Sequence, residues 1–401
     1  MTKRNISKWV LITSIFPFTG LYSSINRNNI RVYNYVFAIF FFFIGTQVIM
    51  TGTNDIGRYI HNFIEIANNN NIPFWTYFYS LQEENQIDFY LPFMTWFVSR
   101  LTSNTQVFAG ILAMMFGLCF SFNFSYIAKY SSNKSFLYIL LLFSLLFVPN
   151  PMLCTHRWWM GMQVFLLGVL PYILEGKNKY LLFSVASIFV HFSFLYPLVF
   201  LIMYRFLPKK ALLPFVLLFV VTNLIEDLNI SSIAEAFERY LPDSFNERNE
   251  SYINAEQQEH NWFSQSSRFV WKYLNLGMTI YIYYKHKCDL ERRKDLKSLY
   301  IITLLIGSFT AIVNLTEWGW RFLDLSNFLF CSLYILLLAD SLNKDMRFYK
   351  AIQLTSPFFM YTIIFQVRGL FSIIGFKALL FGNVFTTWFI EDTISILSYL
   401  K

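Results

Sequence analysis

Residues 180–206 read YLLFSVASIFVHFSFLYPLVFLIMYRF, 27 residues with no charge before Arg205. A membrane-spanning helix needs about 20 largely apolar residues, so this stretch belongs in a bilayer. It also carries His191, Ser193 and Pro197, which a plain spanning helix does not need. Basic residues flank it on both sides, Lys177 and Lys179 before it and Arg205, Lys209 and Lys210 after it. Short basic loops stay cytoplasmic, yet a single pass would put the two clusters on opposite sides. A broken hairpin resolves the conflict: the chain dips inward from the outer side near His191 and Ser193, with Pro197 disrupting the helix. Non-helical backbone at that depth needs protein or water around it. The alternative is one straight span, with Arg205, Lys209 and Lys210 breaking the charge rule.

Working outward, the whole chain has the same character. Of 401 residues, 56% are hydrophobic and only 14% charged, against about 25% charged in soluble domains. That is too little charge to cover a water-facing surface. The expected fold is an all-α polytopic integral membrane protein, one domain over 1–401 with about 10–12 transmembrane helices. Apolar runs place spans near 9–22, 32–50, 105–128, 136–151, 158–175, 180–206, 211–226, 268–284, 299–315, 322–342 and 351–367, with a weaker apolar tail over 369–399. Lys3, Arg4 and Lys8 precede the first run, but no small-residue cleavage site follows, so it reads as a helix and not a cleaved signal. Phenylalanine runs such as FAIFFFFIG (37–45) read as lipid-facing filler.

The net charge of +8 lies mostly in short loops: Lys129 and Lys134, Lys177 and Lys179, residues 285–297, and Lys344, Arg347 and Lys350. That is topology, not a nucleic-acid surface. Two longer loops, 51–88 and 227–267, lack this bias and carry many acids, Asp55 and Asp88 in the first, and are placed outside. Segment 89–101 (FYLPFMTWFVSRL) is too short to span and suits a re-entrant or interfacial helix that extends the first outer region to about 104. The four cysteines are scattered without metal-ligand spacing. No Walker loop, GxGxxG, HExxH, supported GxSxG or paired DxD loop occurs, so ATP-driven transport and metal-dependent sugar-nucleotide chemistry lose ground. No internal repeat supports an inverted-repeat transporter.

Ionisable residues at membrane depth are costly and therefore candidates for function. Arg157 opens a helix in HRWWMGMQVFLLG, with Gly161 and Gly168 within about 40° of its direction at 100° per residue. Such a glycine stripe either lets another helix pack closely or leaves room for a ligand's lipid tail. A planar, permanently charged fork suits a diphosphate; the plain alternative is an arginine snorkelling to the interface. Glu317, Arg321 and Asp324 fall at i, i+4 and i+7 on one face, as an ion-pair ladder or as carboxylates aiming an arginine at a phosphate. The adjacent Trp318 and Trp320 suit a membrane-interface belt. His191 is either a satisfied core residue or a base for a sugar hydroxyl. Asp55, Arg58, Tyr59 and Asn62 would share a helical face that binds sugar or merely caps and solvates. The polar loop 227–267, with RYLPDSF, His260 and SQSSR, is a further saccharide surface or simply a solvated one.

Taken together, the pattern resembles the EpsG-like and Wzy-type polymerases of bacterial surface polysaccharides. The matching features, in order, are GTNDIGRY with Gly52, Asp55 and Tyr59; a proline-containing segment at 89–93; Arg157 opening a glycine-containing helix; His191 before a serine; and Arg321 starting a late helix. The resemblance implies a GT-C-like membrane glycosyltransferase fold, needing no metal or cofactor. It implies joining of undecaprenyl-diphosphate-linked oligosaccharide repeat units at the outer face of the inner membrane, with the bilayer and a chain-length regulator protein as partners. In that scheme Arg157 and Arg321 clamp the departing diphosphate and His191 or Asp55 takes the acceptor proton. Arg58, Tyr59, His156, Glu317, Asp324, Gly161 and Gly168 contact substrate. Two other classes remain: a membrane O-acyltransferase modifying surface glycans, which also uses an embedded histidine, and a lipid-linked oligosaccharide flippase.

Overall fold

The computed structural model describes residues 3–26, 30–49, 55–69, 71–83, 88–130, 143–209, 211–225, 262–315, 319–341, 346–390 and 394–400. Among them the fold is all α, with only two isolated antiparallel bridges, Val48–Ile374 and Gly375–Ser395. The protein is an all-α membrane protein. Among the described residues three helices are long and apolar enough to cross a bilayer: residues 105–129, 156–175 and 294–313. Helices on either side of them turn bulky apolar side chains outward, among them Leu182, Phe189, Leu217 and Leu224. Exposure of that kind is costly in water and costs nothing in lipid.

Contacts group the chain into two compact units. The first comprises residues 1–171, 179–194 and 359–401; the second comprises 172–178 and 195–358.

The first unit opens with α1 (Lys3–Ile15) and α2 (Pro17–Asn26). The span expected over 9–22 is therefore two helices that meet at Phe16. Pro17 cannot continue a preceding helix, and the chain folds back so tightly that a Cβ on Gly20 would lie 2.6 Å from Thr13 Cα. Next come α3 (Ile30–Gly45), α4 (Asp55–Asn68), α5 (Phe74–Glu83), α6 (Tyr90–Ser99) and α7 (Thr105–Tyr130). Among the described residues the pairing of α3 with α7 is the most extensive. Small residues make it possible: Gly45 presses on Ala109 and Ala113, Gly110 on Thr46, and Gly117 on the Phe37 carbonyl. Between these contacts Phe37 and Phe41 interlock with Phe116, Phe120 and Phe124 at 5.1–5.9 Å.

That overturns one expectation. Phe37, Phe40, Phe41 and Phe43 are fully buried, so the phenylalanine run is protein core and not lipid-facing filler. An all-apolar run carries no polar face, and so its periodicity cannot say which side meets protein.

The unit continues through a short π-helical stretch (Phe143–Phe147), α8 (Pro149–Cys154), α9 (His156–Glu175) and α10 (Leu181–Val190). Asn150 bonds Gln366 at 2.6 Å and fills the space beside Gly369, which holds the final part of the chain in place. The tail read as a weak span is broken into α17 (Phe376–Phe381), a 3-10 turn and α18 (Ile396–Tyr399), tied down by a Thr46–Thr387 hydrogen bond of 2.8 Å.

The second unit holds α11 (Leu195–Phe206), α12 (Leu213–Leu224), α13 (Trp262–Arg292), α14 (Lys294–Val313), α15 (Trp320–Ser341) and most of the first half of α16 (Met346–Ile373). The central α14 packs against α11, α12, α13 and α15. Asn275, Asn327 and Tyr334 join in a buried polar chain at 3.0 and 2.8 Å.

The 27-residue run is interrupted where expected. The α10 helix stops at Val190, His191 takes an extended conformation (φ −152°, ψ 116°), a 3-10 turn follows, and α11 begins at Leu195. Pro197 lies in the first turn of α11, where its missing N–H costs nothing. A continuous helix would have sent that N–H to the Ser193 carbonyl, which the proline ring would strike. The break therefore falls just upstream. With 10 and 12 residues, α10 and α11 are each about 15–18 Å long at 1.5 Å per residue, too short to span alone.

Candidate functional site

The site is assembled in the first unit around Arg157, the second residue of α9. Thr155, in a conformation that is neither helical nor extended (φ −130°, ψ 48°), separates α8 from α9. The guanidinium is nearly enclosed, its side chain 16% exposed, and it meets a carboxylate that is 2% exposed: Nη1 donates to Asp88 Oδ2 at 2.8 Å. Its Nε donates to the Tyr59 hydroxyl at 3.2 Å, with the guanidinium carbon 5.7 Å from that ring's centre. A buried charge persists only when paired and hydrogen-bonded, and Arg157 meets both conditions. Burial, the largest influence, pushes the Tyr59 phenol above its usual value, while the neighbouring guanidinium pulls it back. Tyr59 therefore keeps its own proton while accepting one hydrogen bond.

The α4 helix delivers Tyr59 because it is strongly amphipathic. Ile56, Tyr59, Ile60, Phe63, Ile66 and Ala67 form its buried stripe, and Phe63 stacks on Phe108 of α7 at 4.3 Å. The shared face expected for Asp55, Arg58, Tyr59 and Asn62 is thereby split. Tyr59 turns inward to Arg157, whereas Arg58 points outward and pairs with Asp55 at 2.9 Å, the two side chains 59% and 31% exposed.

Asp88 carried no special signal in the sequence beyond being one loop acid among several, and it is the residue that organises the site. Its second oxygen accepts the backbone N–H of Phe192 at 2.8 Å, and the next residue, Phe89, donates to the Phe189 carbonyl at 3.0 Å. One carboxylate thus ties the Arg157 guanidinium to the break in the 27-residue run. The only available hint was its position, the last acid before the apolar segment 89–101. The short helix expected there is α6, with Leu91, Pro92, Met94 and Val98 buried.

At the break, the His191 ring stands edge-on to Trp158 at 5.6 Å, and Phe194 stacks on the same tryptophan at 4.5 Å. Its Nδ1 lies 2.6 Å from Ser193 Oγ. The glycine stripe below Arg157 is occupied by this segment. A Cβ on Gly161 would lie 2.7 Å from Phe194 and 3.2 Å from His191; one on Gly168 would lie 2.0 Å from Ser184 Oγ. Of the two sequence readings, close helix packing is therefore the one realised, and no gap for a lipid tail exists there. His156 is 1% exposed, 3.2 Å from the Tyr90 hydroxyl and also bonded to the Met152 backbone, a satisfied interior position.

Arg321 and Asp324 lie in the first turn or so of α15 in the second unit, both partly buried. Glu317 and Trp318, and most of the loop 227–267 including RYLPDSF and His260, fall outside the described residues.

Comparison with known proteins gives one result. The model of the EpsG family matches residues 30–380, a range that includes Asp55, Tyr59, Asp88, Arg157, His191 and Arg321. No curated protein and no solved structure matches the chain. The chain belongs to the EpsG family, in agreement with the resemblance read from its motifs.

Proposed function

We propose that this EpsG family member is a polysaccharide polymerase of the bacterial inner membrane. It joins undecaprenyl-diphosphate-linked oligosaccharide repeat units at the outer face by glycosyl transfer without a metal. The observation that carries this reading is the state of Arg157. Tyr59 takes its Nε and Asp88 takes one Nη1 hydrogen, which fixes the plane of the fork. The remaining three of its five N–H groups are not engaged by those two bonds, and the side chain keeps 16% of its surface exposed. A fixed cation at the start of a 20-residue helix, whose dipole also favours negative charge, suits a diphosphate as its bond to the sugar breaks. Because Asp88 and Tyr59 hold the fork before substrate arrives, little reorganisation is needed during the reaction. The acceptor proton goes to Asp55 or His191. Arg321 is assigned to the diphosphate on the resemblance alone.

The test is sugar-chain analysis in a strain lacking the chain and complemented with variants. Single repeat units left on the lipid anchor support the polymerase reading. A polymer altered only in acylation would point to an acyltransferase, and loss of all surface sugar to a flippase. Polymer of normal length with Arg157→Ala, at normal protein level, would sink the assignment; Arg321→Ala forms a separate arm.

A further inference from the structure

In the second unit, Val199, Ile202, Met203 and Phe206 follow one another at i, i+3, i+4 and i+7 and so share one face of α11. All four are exposed, Phe206 by 79%. With Leu207 they line an open groove of about 320 Å³. Ligand pockets begin at about 300 Å³, so the groove has room for a segment of one hydrocarbon chain. Its end is positively charged. Arg205, exposed, and Lys209, partly buried, lie within two residues of Phe206 and Leu207. The Lys209 ammonium stands 3.9 Å from the centre of the Tyr204 ring, which holds that charge beside α11. Other cations in this unit are already matched: Lys177 pairs with Glu175 at 2.6 Å, and Arg293 pairs with Asp295. Among the described residues neither Arg205 nor Lys209 pairs with an acid.

Contacts inside the same unit say which leaflet this end meets. The rings of Tyr172 and Tyr204 meet edge-on at 6.3 Å, and the Tyr204 hydroxyl is hydrogen-bonded to Ser298. Tyr172 lies in the last turn of α9, shortly before Lys177, and Ser298 lies near the start of α14, beside Lys294 and Lys297. Three basic chain ends therefore gather at one level, and basic ends of this kind stay cytoplasmic. We propose that the groove binds an anionic phospholipid of the cytoplasmic leaflet, with one acyl chain along α11 and the phosphate held by Arg205 and Lys209. The apolar stripe supplies the chain contact and the two unmatched cations supply the preference for negative charge. The site involves neither sugar nor the group around Arg157, so it does not rest on the polymerase reading.

The test uses the full chain purified in an uncharged detergent and titrated with dioleoylphosphatidylglycerol or dioleoylphosphatidylcholine. Bound lipid is counted by native mass spectrometry, and the thermal unfolding midpoint is followed in parallel, since a ligand of the folded state raises it. Phosphatidylglycerol gives a saturable adduct and a rise in midpoint; phosphatidylcholine binds more weakly and shifts it less. Arg205→Gln and Lys209→Gln each weaken phosphatidylglycerol binding about fivefold, and together about thirtyfold. The wild-type preference shrinks as salt is added.

Ile202→Trp fills the groove and lowers the affinity for phosphatidylglycerol while both cations remain. All three positions are at the surface of α11 or just beyond it, so the lipid-free midpoint of each variant stays near that of the wild type. Equal binding of the two lipids overturns the proposal, as does full phosphatidylglycerol binding by the double glutamine variant. Unchanged binding by Ile202→Trp places the lipid elsewhere and overturns it too. A polyprenyl phosphate that displaces phosphatidylglycerol at a lower concentration overturns the assignment to a phospholipid.

Discussion

Among the described residues of the first unit, two arginine–aspartate pairs have nearly equal length, 2.9 Å for Arg58–Asp55 and 2.8 Å for Arg157–Asp88. Their chemistry is the same and their surroundings differ. Arg58 and Asp55 sit one turn apart on α4, the arginine mostly exposed and the aspartate partly so, where water competes for both charges. Arg157 and Asp88 are 69 residues apart, enclosed, and each makes a further bond, to Tyr59 and to the Phe192 N–H. Distance alone therefore says little about what a pair contributes. Burial and additional bonding decide it, because removing one partner of an enclosed pair strands the other.

Four substitutions break or sharpen that contrast, each read as thermal unfolding in detergent micelles. Asp88→Ala has the largest effect: it strands a guanidinium and unties the peptide at Phe192, at a cost of about 3–5 kcal/mol. Combining it with Arg157→Ala should cost clearly less than the two separately; strict additivity would show that the pair is not coupled. Asp88→Asn comes next. It keeps an acceptor for the Phe192 N–H and removes the charge, so a cost of about 1–3 kcal/mol is expected. An effect equal to that of alanine would mean the charge matters and the backbone bond does not. Tyr59→Phe removes one acceptor and keeps the ring, at about 1 kcal/mol. Asp55→Ala has the smallest effect on stability, below about 1 kcal/mol and shrinking with added salt; a loss as large as that of Asp88→Asn would erase the contrast.

Much of the architecture was legible because it rests on local rules. Long apolar runs marked most helices, and the clash between Lys177 and Lys179 on one side of residues 180–206 and Arg205, Lys209 and Lys210 on the other located the interruption. The site was legible in part. Arg157 and His191 stood out as ionisable groups inside apolar sequence, and Ser193, a partner of His191, is only two residues from it. Tyr59 was placed on the correct helix but grouped with Arg58, since a four-residue polar pattern does not show where a buried stripe ends. Asp88 was hidden because its worth depends on two groups, 69 and 104 residues away in sequence. The phenylalanine run misled for a related reason: lipid and protein interior are equally apolar, so the same residues suit either.

The sequence by itself determined that this chain is a helical membrane protein of the EpsG family with an arginine at the start of a glycine-bearing helix. Those properties follow from composition, run length and spacing, which act along the chain. Only the tertiary structure decided that Asp88 and Tyr59 hold that arginine and that the glycines receive Phe194 and Ser184. Each of these is an enclosed contact whose strength comes from excluding water, and the sequence of one segment does not reveal what encloses it.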